Sequence, residues 1–283
     1  MGGREAPPWK GECVKLGFIG DIVGRPGRRM VRQFLPELKK EHGLDFVVAN
    51  YENASHGFGV TEKSARELFR AGIDVMTGGN HTWDKKGIEE LLVSMPLLRP
   101  ANYPEGVPGR GVAIREVAGE RLAVVNLMGH FAMPMADNPF IAANRIVERL
   151  EAEGVRNVLI DIHAEATSEK RALLMMLRER VSAIFGTHTH VGTDDLVIDK
   201  GCAYVTDVGL TGCRDNVIGM DAKVPIERFL TGLPGRFEVP DRCRAILQMV
   251  VVTLENGRAE EAYKVRCYDD GMCERIFEAR IEE

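Results

Sequence analysis

No apolar run in this 283-residue sequence approaches the ~18 residues that cross a bilayer. Residues 1 to 12, with Pro7, Pro8 and several charges, lack the apolar centre of a signal peptide. Both absences lead us to expect a cytoplasmic protein with no membrane contact. Six cysteines (Cys13, Cys202, Cys213, Cys243, Cys267, Cys273) never form a Cys-x-x-Cys, so neither a zinc knuckle nor a thioredoxin-type site is suggested, and free thiols are expected. Positive charge is also scarce. Lys and Arg number 37 against 42 Asp and Glu, and a net charge of -5 argues against a general nucleic-acid coat. No basic groove with interleaved aromatics is apparent, so a long RNA is not favoured. A small phosphate ester stays open, because bound divalent cations supply positive charge locally.

Internal repeats, low-complexity tracts and composition breaks are absent too. We expect residues 1–13 to be a flexible extension, 14–268 a single domain, and 269–283 a C-terminal tail. Residues 209–239, rich in Gly and Pro, read as an excursion within that domain, either a lid or an interface.

The first two thirds of the chain alternate short apolar runs with helical patterns, the signature of an α/β sheet. Strands are expected at Val14 to Ile19, Asp45 to Ala49, Asp74 to Thr77, Val112 to Val117, Leu122 to Leu127, Asn157 to Ile162 and Ser182 to Phe185. Helices are expected from Pro26 onward and over Glu62 to Ala71, Lys86 to Ser94, Ala142 to Glu153 and Glu169 to Arg180. After His190 the pattern turns to hairpins, with Glu255-Asn256-Gly257-Arg258 a good turn, which suggests a second sheet stacked on the first.

Several strands end in residues that a core does not need. Asp21 follows the first, Asn50, Glu52 and Asn53 the second, Asn80 and His81 the third, His163 the sixth, and His188 and His190 the seventh. In α/β sheets ligands bind beyond the carboxyl ends of strands. A two-metal hydrolytic site needs a carboxylate shared between cations, further oxygen and imidazole ligands, and a group that protonates the leaving oxygen. The chain offers all of them in order. Singly each has a simpler reading: Asp21 as a helix cap, Asn53 and Asn80 as turn residues, His163 as a hydrogen-bonded core residue. Their coincidence at five strand ends favours metal.

The order of these motifs resembles the calcineurin-like metallophosphoesterase superfamily, through Gly79-Asn80-His81 and Gly186-Thr187-His188-Thr189-His190. Val23 stands where that pattern has a His, and Glu52-Asn53 replaces its bridging Asp. Those departures resemble the YmdB-type phosphodiesterases, as do Gly20 to Arg28, Ala49 to Ala54, Arg99-Pro100-Ala101-Asn102-Tyr103 and His163 to Lys170. The resemblance implies a four-layer sandwich of two stacked mixed sheets flanked by helices. It implies one metal held by Asp21, Glu52, Asn53 and His190, a second held by Glu52, Asn80, His163 and His188, and His81 as acid or electrostatic clamp. Fe, Mn and Zn all suit such mixed ligands. The implied activity is hydrolysis of cyclic nucleotides, 2',3'-cyclic monophosphates foremost, by in-line attack of a hydroxide held between the cations, in a homo-oligomer. Thr167 and Ser168, opening a helix after His163, and Arg25 near Asp21 are candidate phosphate contacts. A CapA-like capsule or polyglutamate synthesis protein, and a nucleotide-binding signalling module with little turnover, are the alternatives.

Overall fold

The computed structural model describes residues 13–282, so the expectation of a flexible extension over 1–13 lies almost wholly outside the described residues. In chain order the elements are β1 (Val14–Ile19), α1 (Gly24–His42), β2 (Phe46–Asn50), α2 (Glu62–Arg70), β3 (Val75–Thr77), α3 (Ile88–Ser94), β4 (Val112–Val117), β5 (Glu120–Met128), α4 (Pro139–Ala152), β6 (Asn157–His163), α5 (Thr167–Leu177), β7 (Ala183–Thr187), β8 (Val197–Asp199), β9 (Cys202–Val205), β10 (Gly212–Cys213), α6 (Lys223–Thr231), β11 (Ala245–Glu255), β12 (Arg258–Tyr268), β13 (Cys273–Glu278) and β14 (Arg280–Glu282).

Two mixed sheets result. One runs β13-β12-β11-β1-β2-β3, with β10 beside β11; the other runs β14-β8-β9-β7-β6-β5-β4. The alternation of each strand explains the layering. Leu16 and Phe18 of β1 face the second sheet, where Phe18 meets Phe185 edge-on at 5.5 Å between ring centroids. Ile19, Val47 and Ala49 face the opposite way, onto Met30, Leu35 and Leu38 of α1 and Leu68 of α2. On the far side, Val125, Ile160 and Ile184 pack on Ile146 and Leu150 of α4 and Leu174 of α5. Helix, sheet, sheet and helix are therefore the four expected layers. No helix among the described residues is long and apolar enough to cross a membrane.

Three expectations are corrected. The strands after His190 do not make a second sheet by themselves. The β11–β12 hairpin extends the first sheet through antiparallel pairing of β11 with β1, whereas β8 and β9 join β4 to β7. β1 is buried at every position but Lys15 and needs a partner on both edges, which β2 and β11 supply. The hairpin turn is as expected, with positive φ at Asn256 and Gly257. Second, the segment set apart as a tail carries β13 on the edge of one sheet and β14 on the edge of the other. Third, four of the six cysteines are paired. Register places Cys267 directly opposite Cys273, and Cys213 opposite Ala245, within reach of Cys243; the disulfides are Cys213–Cys243 and Cys267–Cys273. Cys13 and Cys202 are free.

Candidate metal centre

Because the sheets are stacked, the carboxyl ends of β1, β2 and β3 face those of β6 and β7 along one rim. Asp21, Glu52, Asn53, His163 and His190 are all buried there. The backbone is shaped for this crowding. Gly79 has no room for a Cβ, which would overlap the His163 imidazole. His188 and His190 both hold positive φ, 97° and 65°, an uncommon conformation for side-chain-bearing residues.

The donors fall into two neighbouring groups, and Asp21 Oδ1 lies 3.8 Å from an imidazole of each, His190 Nε2 and His163 Nδ1. In one, His190 Nε2 lies 3.1 Å from Asn53 Oδ1 and 3.8 Å from Asp21 Oδ1. In the other, His163 Nε2 lies 2.9 Å from Asn80 Oδ1, 3.1 Å from His188 Nδ1 and 3.6 Å from Glu52 Oε1. Asp21 also accepts from the backbone N–H of His188, and so belongs to the turn after β7 rather than capping α1.

Each imidazole is oriented by its outward nitrogen. His190 Nδ1 donates to the carbonyl of Ile218 at 2.7 Å, which fixes its tautomer, since a carbonyl only accepts. His163 Nδ1 lies 2.9 Å from Thr187 Oγ1, which donates in turn to Asp161 at 2.7 Å. His188 Nε2 lies 3.0 Å from Glu165. His190 Nε2 and His163 Nε2 thereby keep their lone pairs free, 3.8 Å from Asp21 and 3.6 Å from Glu52, as metal-ligating imidazoles require.

Electrostatics tests whether cations fit. Burial, reinforced by the charge of Asp207, pushes the Asp21 carboxyl up to about 8. Burial raises Glu52 well above the ordinary range despite the N–H that His81 donates to it, and Glu52 Oε2 has no hydrogen-bond partner among the described residues. Burial likewise lowers His163 strongly, with His188 adding to the effect, and brings His188 down to about 4. Acids raised and bases lowered side by side are what burial imposes on a tight cluster of ionisable groups. Hard carboxylate and amide oxygens with neutral imidazoles are the donors that divalent first-row metals accept, so the residues fit.

His81 stands at the edge of this cluster. Its Nδ1 lies 2.7 Å from Asp84 Oδ2, its ring meets Phe58 edge-on at 4.9 Å, and it lines a cavity of about 390 Å³ together with Glu52, His188 and His190. The opposite wall of that cavity is apolar: Ile218, Met220, Pro225, Phe229 and Phe237, all from the excursion over 209–239. Of the candidate phosphate contacts, Thr167 and Ser168 are exposed at the start of α5, line no part of this cavity, and leave the N-cap to Ala166. Arg25 lines a neighbouring cleft instead.

Sequence reasoning missed the supporting residues. Asp161 is fully buried and accepts from Thr77, Asn50 and Thr187; it sits two residues before His163 and so on the same face of β6, the one signal available. Asp207 accepts from Thr189 N and Oγ1 and from Lys170 Nζ at 3.1 Å, a buried ion pair that braces the turn carrying His188 and His190. Nothing local marks it.

Two stacked mixed sheets with carboxylate, amide and imidazole donors converging at their strand ends define a metallophosphoesterase. The YmdB-like protein family matches residues 18–265, and the chain belongs to it. It is 45% identical over 263 residues, 92% of this chain and 99% of the other, to the 2',3'-cyclic-nucleotide 2'-phosphodiesterase of Bacillus subtilis (strain 168). Among solved structures, a hypothetical protein from Thermus thermophilus superposes with a TM-score of 0.85 at 41% identity, covering 90% of this chain and 99% of that one. A novel phosphatase from Mycoplasma pneumoniae superposes with a TM-score of 0.86 at 32% identity, covering 91% and 94%. Membership of a metallophosphoesterase-type family implies divalent metals.

Proposed function

We propose that this chain is a phosphodiesterase that opens 2',3'-cyclic nucleotides to monoesters with two divalent cations. The observation that carries this reading is Glu52, a buried carboxylate 3.6 Å from His163, one of whose oxygens has no hydrogen-bond partner among the described residues. Asp21, Asn53 and His190 would hold one cation and Asn80, His163 and His188 the other, with Glu52 shared; Fe, Mn or Zn suits these ligands. Bound there, the cations would neutralise phosphoryl charge and supply a nucleophile at neutral pH.

The protein's own residues do the rest. With Nδ1 turned to Asp84, His81 has Nε2 available to the cavity, where it would hold the proton that the departing ribose oxygen takes up. The apolar wall of Pro225, Phe229 and Phe237 offers a surface to a nucleobase. The similarity to the Bacillus subtilis enzyme supports a 2',3'-cyclic substrate.

The test is metal analysis of protein purified without added metal, together with hydrolysis of bis-p-nitrophenyl phosphate and 2',3'-cyclic AMP after loading with Mn or Fe. Two metals per chain and turnover of the cyclic nucleotide are expected. Unchanged ligand binding without turnover would favour the signalling module instead.

A further inference from the structure

Beside the metal-centre cavity lies a cleft of about 550 Å³, and Phe58 and Phe237 line both. Its walls come from four distant segments: the start of α1, the loop after β2, the loop after β3, and residues 236–241 of the excursion. The cleft is basic in a chain whose net charge is -5. Arg28 is already committed, to Glu67 at 2.9 Å and the Ala54 carbonyl at 2.5 Å. Arg25 reaches Asp241 only at 4.0 Å, with both side chains about four-fifths exposed, which is a weak pairing. Lys85 and Arg236 have no carboxylate partner among the described residues, although Glu238 also lines the cleft. Beyond it, Arg25 borders a second hollow with Arg29 and Arg242, so positive charge continues outward from the site.

The chemistry of the proposed substrate says what this charge would meet. A nucleoside 2',3'-cyclic phosphate has used both secondary ribose oxygens, so a further phosphate can be attached to the ribose only through O5'. Aromatic rings at the junction of cavity and cleft, followed by cations, are the elements that hold single-stranded nucleic acid. Resting on the cyclic-nucleotide reading above, we infer that Lys85 and Arg236 bind the phosphate on the 5' side of the reacting nucleotide. The preferred substrate is then the 3'-terminal cyclic phosphate of a short oligoribonucleotide. The sequence concealed this cleft because its cations, from Arg25 to Arg236, lie far apart along the chain and meet only in the fold.

The experiment compares kcat/KM of the metal-loaded protein for adenosine 2',3'-cyclic phosphate, its 5'-phosphorylated form, and a diadenosine ending in a 2',3'-cyclic phosphate. The wild type is set beside the double variant Lys85→Gln, Arg236→Gln. The extended substrate is expected to be favoured roughly tenfold at low salt, as one charge-assisted contact supplies. The advantage should shrink as salt rises and vanish in the double variant, while turnover of adenosine 2',3'-cyclic phosphate stays unchanged. A gain already complete with the 5'-phosphorylated mononucleotide would assign the subsite to a terminal phosphate; a further gain with the dinucleotide assigns it to a chain. Equal rates for all three substrates, or an advantage that the double variant keeps, would overturn the inference. Should none of the substrates be turned over, the function itself fails, and anisotropy of a labelled trinucleotide ending in the cyclic phosphate decides separately: roughly tenfold weaker binding by the double variant upholds the cleft, and unchanged binding removes it.

Discussion

Glu52 Oε1 lies 3.6 Å from His163 Nε2, while the other oxygen of the same carboxylate has no hydrogen-bond partner among the described residues. An uncompensated carboxylate at this depth is expensive unless it is protonated or meets a cation. Burial holds the Glu52 and Asp21 carboxyls up, which favours the first solution, and the oriented imidazoles favour the second. A cation held at this carboxylate would offset that cost.

Replacing Glu52 by Gln should have opposite effects on activity and on stability. Loss of the shared charge is expected to reduce bound metal and to lower diester hydrolysis by more than the ~100-fold that outer-sphere changes typically reach. The metal-free variant should melt at a higher temperature than metal-free wild type at neutral pH, since a neutral amide has no ionised form to desolvate. Elemental analysis and thermal melts after chelation check both halves. A variant with full metal content would remove Glu52 from the site.

His81→Ala should separate chemistry from metal binding. The backbone N–H that reaches Glu52 survives the substitution, so metal content is expected to be unchanged. Loss of the imidazole should lower kcat by ~10²- to 10⁴-fold on a substrate with a poor leaving group such as 2',3'-cyclic AMP. Bis-p-nitrophenyl phosphate, whose leaving group needs little protonation, should be affected much less. Equal losses on both substrates would assign His81 to charge stabilisation instead of proton transfer.

Much of this site was legible because strand ends are locally encoded. Apolar runs ending in Asp, Asn, Glu or His mark β1, β2, β3, β6 and β7, and Asp21, Glu52, Asn53, Asn80, His163, His188 and His190 all arrive at one rim. Partnerships were not legible. Asp207 and Lys170 are 37 positions apart, and Ile218 holds His190 from within an excursion whose sequence pattern suggests only a lid or an interface. β13 and β14 were missed because they are short and mostly exposed edge strands without an apolar alternation. The cysteine pairs depended on strand register, which composition does not reveal.

The ion pair of Lys170 with Asp207 should matter more than a surface pair. Both side chains are fully buried, and Lys170 also donates to the Thr187 carbonyl at 2.8 Å. Lys170→Met leaves Asp207 without its cation and is expected to destabilise the protein by ~3–5 kcal/mol in chemical denaturation. The double change Lys170→Met, Asp207→Asn should recover part of that loss but not the activity. Asp207 holds Thr189 between the two histidines. A cost below about 1 kcal/mol for Lys170→Met would mean that water reaches the pair.

The metal-free protein should lose stability as pH rises from 6.5 to 8. Asp21 is held up at about 8 and Asp161 at about 7, both chiefly by burial, so the folded state keeps protons that the unfolded chain has already released. Stability from such groups is complete below the ordinary carboxylate range and is lost as pH passes through the folded values. His188, lowered to about 4, works in the opposite direction but only below 6.5, where the unfolded imidazole takes up its proton. Lys264, brought down by burial to about 8, adds stability with pH only above that value. Between 6.5 and 8 the raised carboxyls, Glu52 among them, therefore dominate, and the melting temperature of chelated protein should fall across the window, with Asp161→Asn flattening the decline. Metal held at Asp21, as proposed, would keep that carboxylate ionised throughout, so the gap between loaded and metal-free melting temperatures should widen with pH, and loading should release fewer protons at pH 8.5 than at pH 7. A metal-free protein that grows more stable over this interval would show that these carboxyls are already charged in the fold.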